Sequence, residues 1–211
     1  MAFNRTTILL ELVRLAAEDR IYREVLSAIS DGIRAAERRL DDAAGRGDEE
    51  WLEVVTDEEC DLLENLLGAA YVVCQTQITA VTARALALRK RRLQDGKAFT
   101  AFGEGKADVR SLDDVLPHPA TATRVELVWA LANYFKHREE WDKLDWSALD
   151  KQSRRTAEVI EQVQLASGST GNLRRGFSAL HNNSYAELKI LAEIIDAWSA
   201  KVLAVCKAEA T

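Results

Sequence analysis

The chain has two prolines in 211 residues, and they stand almost side by side, as Pro117 and Pro119 in the stretch VLPHPATAT. Proline removes a backbone donor and clashes with the preceding helical turn, so its placement limits where helices can run. The rest of the chain is open to helix, and its apolar residues recur at steps of three and four. The first stripe is Ile8, Leu12, Leu15, Asp19, Tyr22, Leu26, Ile29, Ile33, Ala36 and Leu40, broken only by Asp19. GRGDEE at 45–50 ends it. A second helix is expected from Thr56, where Thr56 and Glu59 have capping-box spacing. Its stripe is Cys60, Leu63, Leu67, Tyr71, Cys74, Ile78, Val81, Ala85 and Leu88, and it closes in the cationic run RKRRLQDG, which suits a helix C-terminus.

Residues 96–122 hold Gly96, Gly103, Gly105 and both prolines, and form the longest irregular stretch, long enough for a lid or a binding loop. A third helix opens at Thr123 with Glu126 three residues on. It is apolar nearly all round from Val125 to Phe135, which predicts a central, buried position. A fourth helix is expected near 150–166 and a short one near 173–180. The last is expected to open with a capping box at Ser184 and Glu187, and carries the stripe Leu188, Leu191, Ile195, Trp198, Val202 and Val205. No alternating β-branched run and no Asn-Gly turn signals a strand. The expectation is a single all-α domain over 1–211, a bundle of four to five long helices with an irregular loop at about 96–122.

Composition narrows the function classes. A net charge of −6 argues against a general nucleic-acid coat, though not against a local basic patch. Cys60, Cys74 and Cys206 form no C-x-x-C pair and read as small buried residues in a reducing cytosol. The N-terminal run ILLELVRLAA is interrupted by Glu11 and Arg14, and reads as neither a signal peptide nor a membrane span. A cytoplasmic protein with no membrane association is expected. Phosphate-loop and dinucleotide fingerprints are absent, as are G-x-S-x-G and the Glu-x-x-His repeat of bundle metal sites, so no cofactor and no metal are expected.

The chemistry concentrates in WALANYFKHREEW, residues 129–141. At 100° per residue Glu126, Ala130, Asn133 and His137 share one face of the third helix, with Lys136 at its edge. Polar groups on a buried helix cost about 1–3 kcal/mol each unless they find partners. Glu126 can be satisfied by the cap, Asn133 by a neighbouring helix, and His137 at the rim. Alternatively the face opens on a cleft, toward which Asp19, Glu64 and Gln75 could converge from the first two helices.

The segment ANYFKH on the third long helix of an all-α chain resembles the HEPN family of small helical domains. That family's motif is an Arg, a polar residue, often Asn, and then a His. Asn133 matches the polar residue and His137 the His, while Ala132 occupies the Arg position. The resemblance implies a metal-independent RNase or an RNA- or nucleotide-binding protein of a bacterial toxin–antitoxin or defence system. It also implies a homodimer, with a cognate protein partner. Metal-free RNA cleavage needs a base, an acid and positive charge on the phosphorane. His137 would serve as base or acid, Asn133 would orient it, and Lys136 would bring charge in place of the missing Arg, helped by Arg84 or Arg89. The basic run Arg89, Lys90, Arg91 and Arg92 would collect RNA phosphate. The competing expectation is a catalytically inactive module whose polar helix face binds a protein partner or a small ligand. Arg175 and His181 stand at a similar spacing but lack the polar residue, and are read as coincidence.

Overall fold

The computed structural model describes residues 20–46, 49–182 and 184–210. Among them are seven α-helices and no strand. In chain order these are α1 Arg20–Arg46, α2 Glu49–Gln94, α3 Lys106–Arg110, α4 Arg124–Trp141, α5 Lys151–Glu161, α6 Asn172–Leu180 and α7 Lys189–Ala210, with a 3-10 turn at Trp146–Ala148 before α5. The protein is all-α. Asp19 and the first part of the N-terminal stripe lie outside the described residues.

The spine is α2, whose 46 residues extend about 70 Å at 1.5 Å per residue. Against it pack α1, α3, α4, α6 and α7, while α5 lies on α4. The expected stripe is buried along its length, at Leu63, Leu67, Tyr71, Cys74, Ile78, Val81, Ala85 and Leu88. An 18-residue window of this helix is long and apolar enough to cross a membrane, but half of it is buried inside the protein. Burial also pushes the Cys74 thiol far above its ordinary range, and the Cys206 thiol up to about 11. From α7, Leu191, Ile195, Trp198 and Val202 enter the same core, with Leu188 just before the helix, and Trp198 Nε1 donates to the Val109 carbonyl at 3.0 Å.

α4 is the inner helix its apolar sequence predicts, with Val125, Leu127, Val128, Ala130, Leu131 and Ala132 fully enclosed. Two glycines let its neighbours approach. A Cβ on Gly68 of α2 would lie 2.1 Å from the Phe135 ring, and one on Gly176 of α6 would lie 2.7 Å from the Leu131 methyls.

Three helix starts illustrate the difference between a local and a captured cap. At Thr123 the capping box forms: Thr123 Oγ1 accepts from Glu126 N, and Glu126 Oε2 accepts from Thr123 N at 2.9 Å. α2, in contrast, begins at Glu49 rather than near Thr56. Its first-turn carboxylates Glu49 and Glu50 suit a helix N-terminus, and Glu59 instead forms a two-pronged pair with Arg39 of α1. α7 begins at Lys189 rather than at Ser184. Ser184 Oγ donates to Glu37 at 3.0 Å and accepts from Ala186 N at 3.1 Å, and Glu187 meets His181 Nε2 at 2.7 Å, so the reciprocal box does not form. α5 ends at Glu161, short of the expected 166, and Gln164 takes a positive φ of 62°.

Residues 96–122 are more ordered than a bare loop. They contain α3, and they bury Phe99, Phe102, Val109, Leu116 and Ala122 in the core. Val115 and Thr123 form an isolated antiparallel bridge. The Asp113 carboxylate, with no exposed side-chain surface, accepts from Val125 N and from Arg124 at 3.1 Å each, tying the stretch to the start of α4.

Gly68→Ala should cost about 1–3 kcal/mol through overpacking against Phe135, outweighing the roughly 1 kcal/mol gained in helix propensity. Urea unfolding reads the difference, and an unchanged or raised midpoint would refute it. Arg39 holds the Glu59 carboxyl below its ordinary range. A carboxyl lowered by folding stabilises above its unfolded value, and the gain is lost as pH falls through the folded one. The stability gap between the wild type and Glu59→Gln should therefore be full near neutrality and close in acid, read by urea unfolding across that pH range.

Candidate functional site

The capping box sets the start of α4, and with it the rotation of Trp129, Asn133, Lys136 and His137 about the helix axis. Glu126 is therefore a capping residue, its carboxylate engaged at Thr123. Facing this side of α4 is Gln75, a buried amide on α2. Its Nε2 donates to Asn133 Oδ1 at 3.0 Å and to the Trp129 carbonyl at 3.3 Å. Its Oε1 accepts from Lys136 Nζ at 2.7 Å. One amide thus holds both polar residues of the α4 face. Although the Lys136 side chain is largely exposed, desolvation of its ammonium lowers its pKa from the ordinary lysine value.

Gln75, Asn133 and Lys136 stand on a concavity of about 220 Å3, completed by Thr82, Lys106, Arg110 and Trp129 among others. Arg110 is buried, with Cζ 4.2 Å from the centroid of the Trp129 ring. Its Nε has no hydrogen-bond partner, and neither has the hydroxyl of buried Thr82. Burial draws the Arg110 pKa down from its ordinary value, while the field of Glu126 opposes this.

His137 lies elsewhere. It borders a second concavity of about 270 Å3 with Trp141, Asp150, Ser153 and Thr156, which contains a carboxylate and no lysine or arginine, and a third of about 270 Å3 with Lys136, Arg138, Glu139 and Glu140. Its side chain is 52% exposed, and Nδ1 is 3.8 Å from Glu140 Oε2. The ring stacks beside Trp141, centroids 6.2 Å apart and planes 17° off parallel. Asn133 and Trp129 border the first two concavities and form the ridge between them. Ala132, at the motif's Arg position, is 0% exposed and points into the core. An arginine there would have to enter the packed interior instead of the polar face.

The remaining expected site residues are dispersed. Glu64 accepts from Leu173 N, Arg174 N and Arg174 Nε at 3.0–3.1 Å, holding the start of α6. Arg89 donates to the Phe102 carbonyl at 3.2 Å and pairs with Glu104. Lys90 is exposed, Arg84 and Arg91 are half-buried, and Arg92 is buried with Nε and Nη1 unpartnered. The helix turns this basic run in several directions. Arg175 bonds the Thr170 carbonyl while His181 meets Glu187, and the two do not act as a unit. Among the described residues no three His, Cys, Asp or Glu side chains converge to hold a metal.

Sequence reasoning missed Arg110, Thr82 and the role of Gln75 as a clamp. Gln75 had a signal, being a polar residue beside the apolar stripe of α2 that could turn toward the face of α4. Arg110 had none, because it lies in a stretch without periodicity. No protein-family model, curated protein or solved structure matches the chain.

Gln75→Leu keeps the volume but leaves the Asn133 carbonyl oxygen and the Lys136 ammonium without their partner. It should cost about 1–3 kcal/mol in urea unfolding, and a loss well below that range would mean water replaces the amide.

Proposed function

We propose that the chain is a HEPN-like helical binding module whose α4 face receives a small ligand and does not cleave RNA. The long helices α1, α2, α4 and α7 form the bundle in this reading, and the protein acts in the cytoplasm as a homodimer with a cognate protein partner. Trp51, Val54 and Leu62 are 45%, 48% and 37% exposed on one side of α2, and offer apolar surface for such contacts.

The observation that carries the reading is the division made by Asn133. On one side, Gln75 clamps Asn133 and Lys136 at a concavity that also holds Lys106 and Arg110. On the other side His137 faces a concavity whose charged lining residue is the carboxylate of Asp150. Metal-free cleavage requires the imidazole and the cation to act on one phosphate. Lys136 and Arg138 do line a third concavity with His137, but their heads are turned to Gln75 Oε1 at 2.7 Å and Asn65 Oδ1 at 2.9 Å, and the enclosed Ala132 adds no cation. The preassembled polar groups suit binding, since their geometry is set before a ligand arrives.

A ribonuclease reading keeps one favourable observation, the half-exposed His137 ring propped on Trp141, which a second subunit could complete with a cation. The test is incubation of single-stranded RNA with the protein in chelator, at concentrations spanning monomer and dimer, beside His137→Ala. No His137-dependent cleavage is expected. Degradation that the substitution abolishes, in a variant that still folds, would establish the ribonuclease instead.

A further inference from the structure

The buried guanidinium of Arg110 makes no ion pair among the described residues. The residue is 9% exposed, and its Nε makes no hydrogen bond. Stacking over Trp129 at 4.2 Å supplies a cation–π contact but no acceptor. The carboxylate whose field reaches it, Glu126, already accepts from the Thr123 backbone at 2.9 Å and from the Thr123 hydroxyl at 3.2 Å. A guanidinium does not shed its proton, so burial with a carboxylate nearby but no ion pair leaves its charge only partly compensated.

The surroundings of Arg110 are cationic as well. Lys106 and Lys136 line the same concavity, and no Asp or Glu does. Lys136 Nζ spends one proton on Gln75 Oε1 and keeps two. The unpartnered Thr82 hydroxyl is a second unsatisfied polar group on this wall. Three cations converge here within a chain whose net charge is −6.

We propose that this concavity is a binding site for the phosphomonoester group of a small molecule, anchored by Arg110 with Lys106 and Lys136 at its sides. The proposal rests on reading the α4 face as a binding surface. A phosphomonoester brings close to two negative charges and three acceptor oxygens, which matches a guanidinium fork flanked by two ammonium groups. A carboxylate offers one charge and two oxygens. A nucleic-acid chain would need cations spread along a track, whereas these cations line one small concavity and the run at 89–92 diverges. The rest of the ligand leaves across Trp129 and Asn133 into the neighbouring concavity, which both residues also line.

The test is calorimetric titration of the full chain with phenyl phosphate, inorganic phosphate, benzoate, and an RNA hexamer lacking terminal phosphate. Phenyl phosphate should bind at one site per chain, more tightly than benzoate or the hexamer, and inorganic phosphate should compete with it. Arg110→Gln should weaken it by about tenfold or more. Lys136→Gln, a change at a largely exposed side chain, should weaken it by about threefold or more, and decides the matter if Arg110→Gln fails to fold. Absence of saturable phosphate binding, equal affinity in Lys136→Gln, benzoate bound as tightly as phenyl phosphate, or tighter binding of the hexamer would each overturn the proposal. The two readings fail separately. His137-dependent RNA cleavage overturns the binding module, whereas missing phosphate binding without cleavage overturns only the ligand assigned here.

Discussion

α2 and α4 approach each other closely because Gly68 presents no side chain where the Phe135 ring crosses it. Much of the structure depends on that contact. It brings Gln75, two helical turns further along α2, within hydrogen-bond reach of Asn133 and Lys136. It leaves α4 enclosed on its other sides by α5, α6 and α7. On the α2 side Asn133 and Lys136 share one partner, Gln75, whereas Tyr134 meets Asp142 and Arg138 meets Asn65.

Those polar groups are satisfied unequally. Asn133 and Lys136 share one amide, Glu126 closes a cap, and Asp113 is doubly bonded at the start of α4. Arg110 and Thr82 keep unsatisfied atoms on the wall of the same concavity. Buried polar atoms are ordinarily paired, so an exception beside a cavity invites a ligand as its explanation. His137 does not invite one in the same way. It is half solvated, supported by Trp141, and its neighbour Glu140 can interact with it at the surface.

The helices were legible wherever their determinants were local. The stripe from Leu63 to Leu88, the enclosed run from Val125 to Ala132 and the box at Thr123 depend on residues within a few turns of one another. Thr56–Glu59 and Ser184–Glu187 carry the same spacing as Thr123–Glu126, yet neither forms a box. In both cases the carboxylate is captured elsewhere, by Arg39 on α1 or by His181 after α6. The basic run at 89–92 is divided for a related reason. Adjacent residues on a helix point about 100° apart, and here the neighbouring stretch takes up Arg89 while the core takes up Arg92.

By itself the sequence determined an all-α chain, the central place of the third expected helix, and the sharing of one face by Asn133 and His137. All three follow from periodicity and the position of two prolines. Tertiary structure alone decided what that face can do. It placed Gln75 against Asn133 and Lys136, brought Arg110 from an aperiodic stretch onto Trp129, and set His137 on the far side of the ridge. The reason is that periodicity specifies the direction of a side chain about its own helix. Whether a charge meets an acceptor, a solvent-filled hollow or another charge depends on segments distant in sequence, and only packing brings those together.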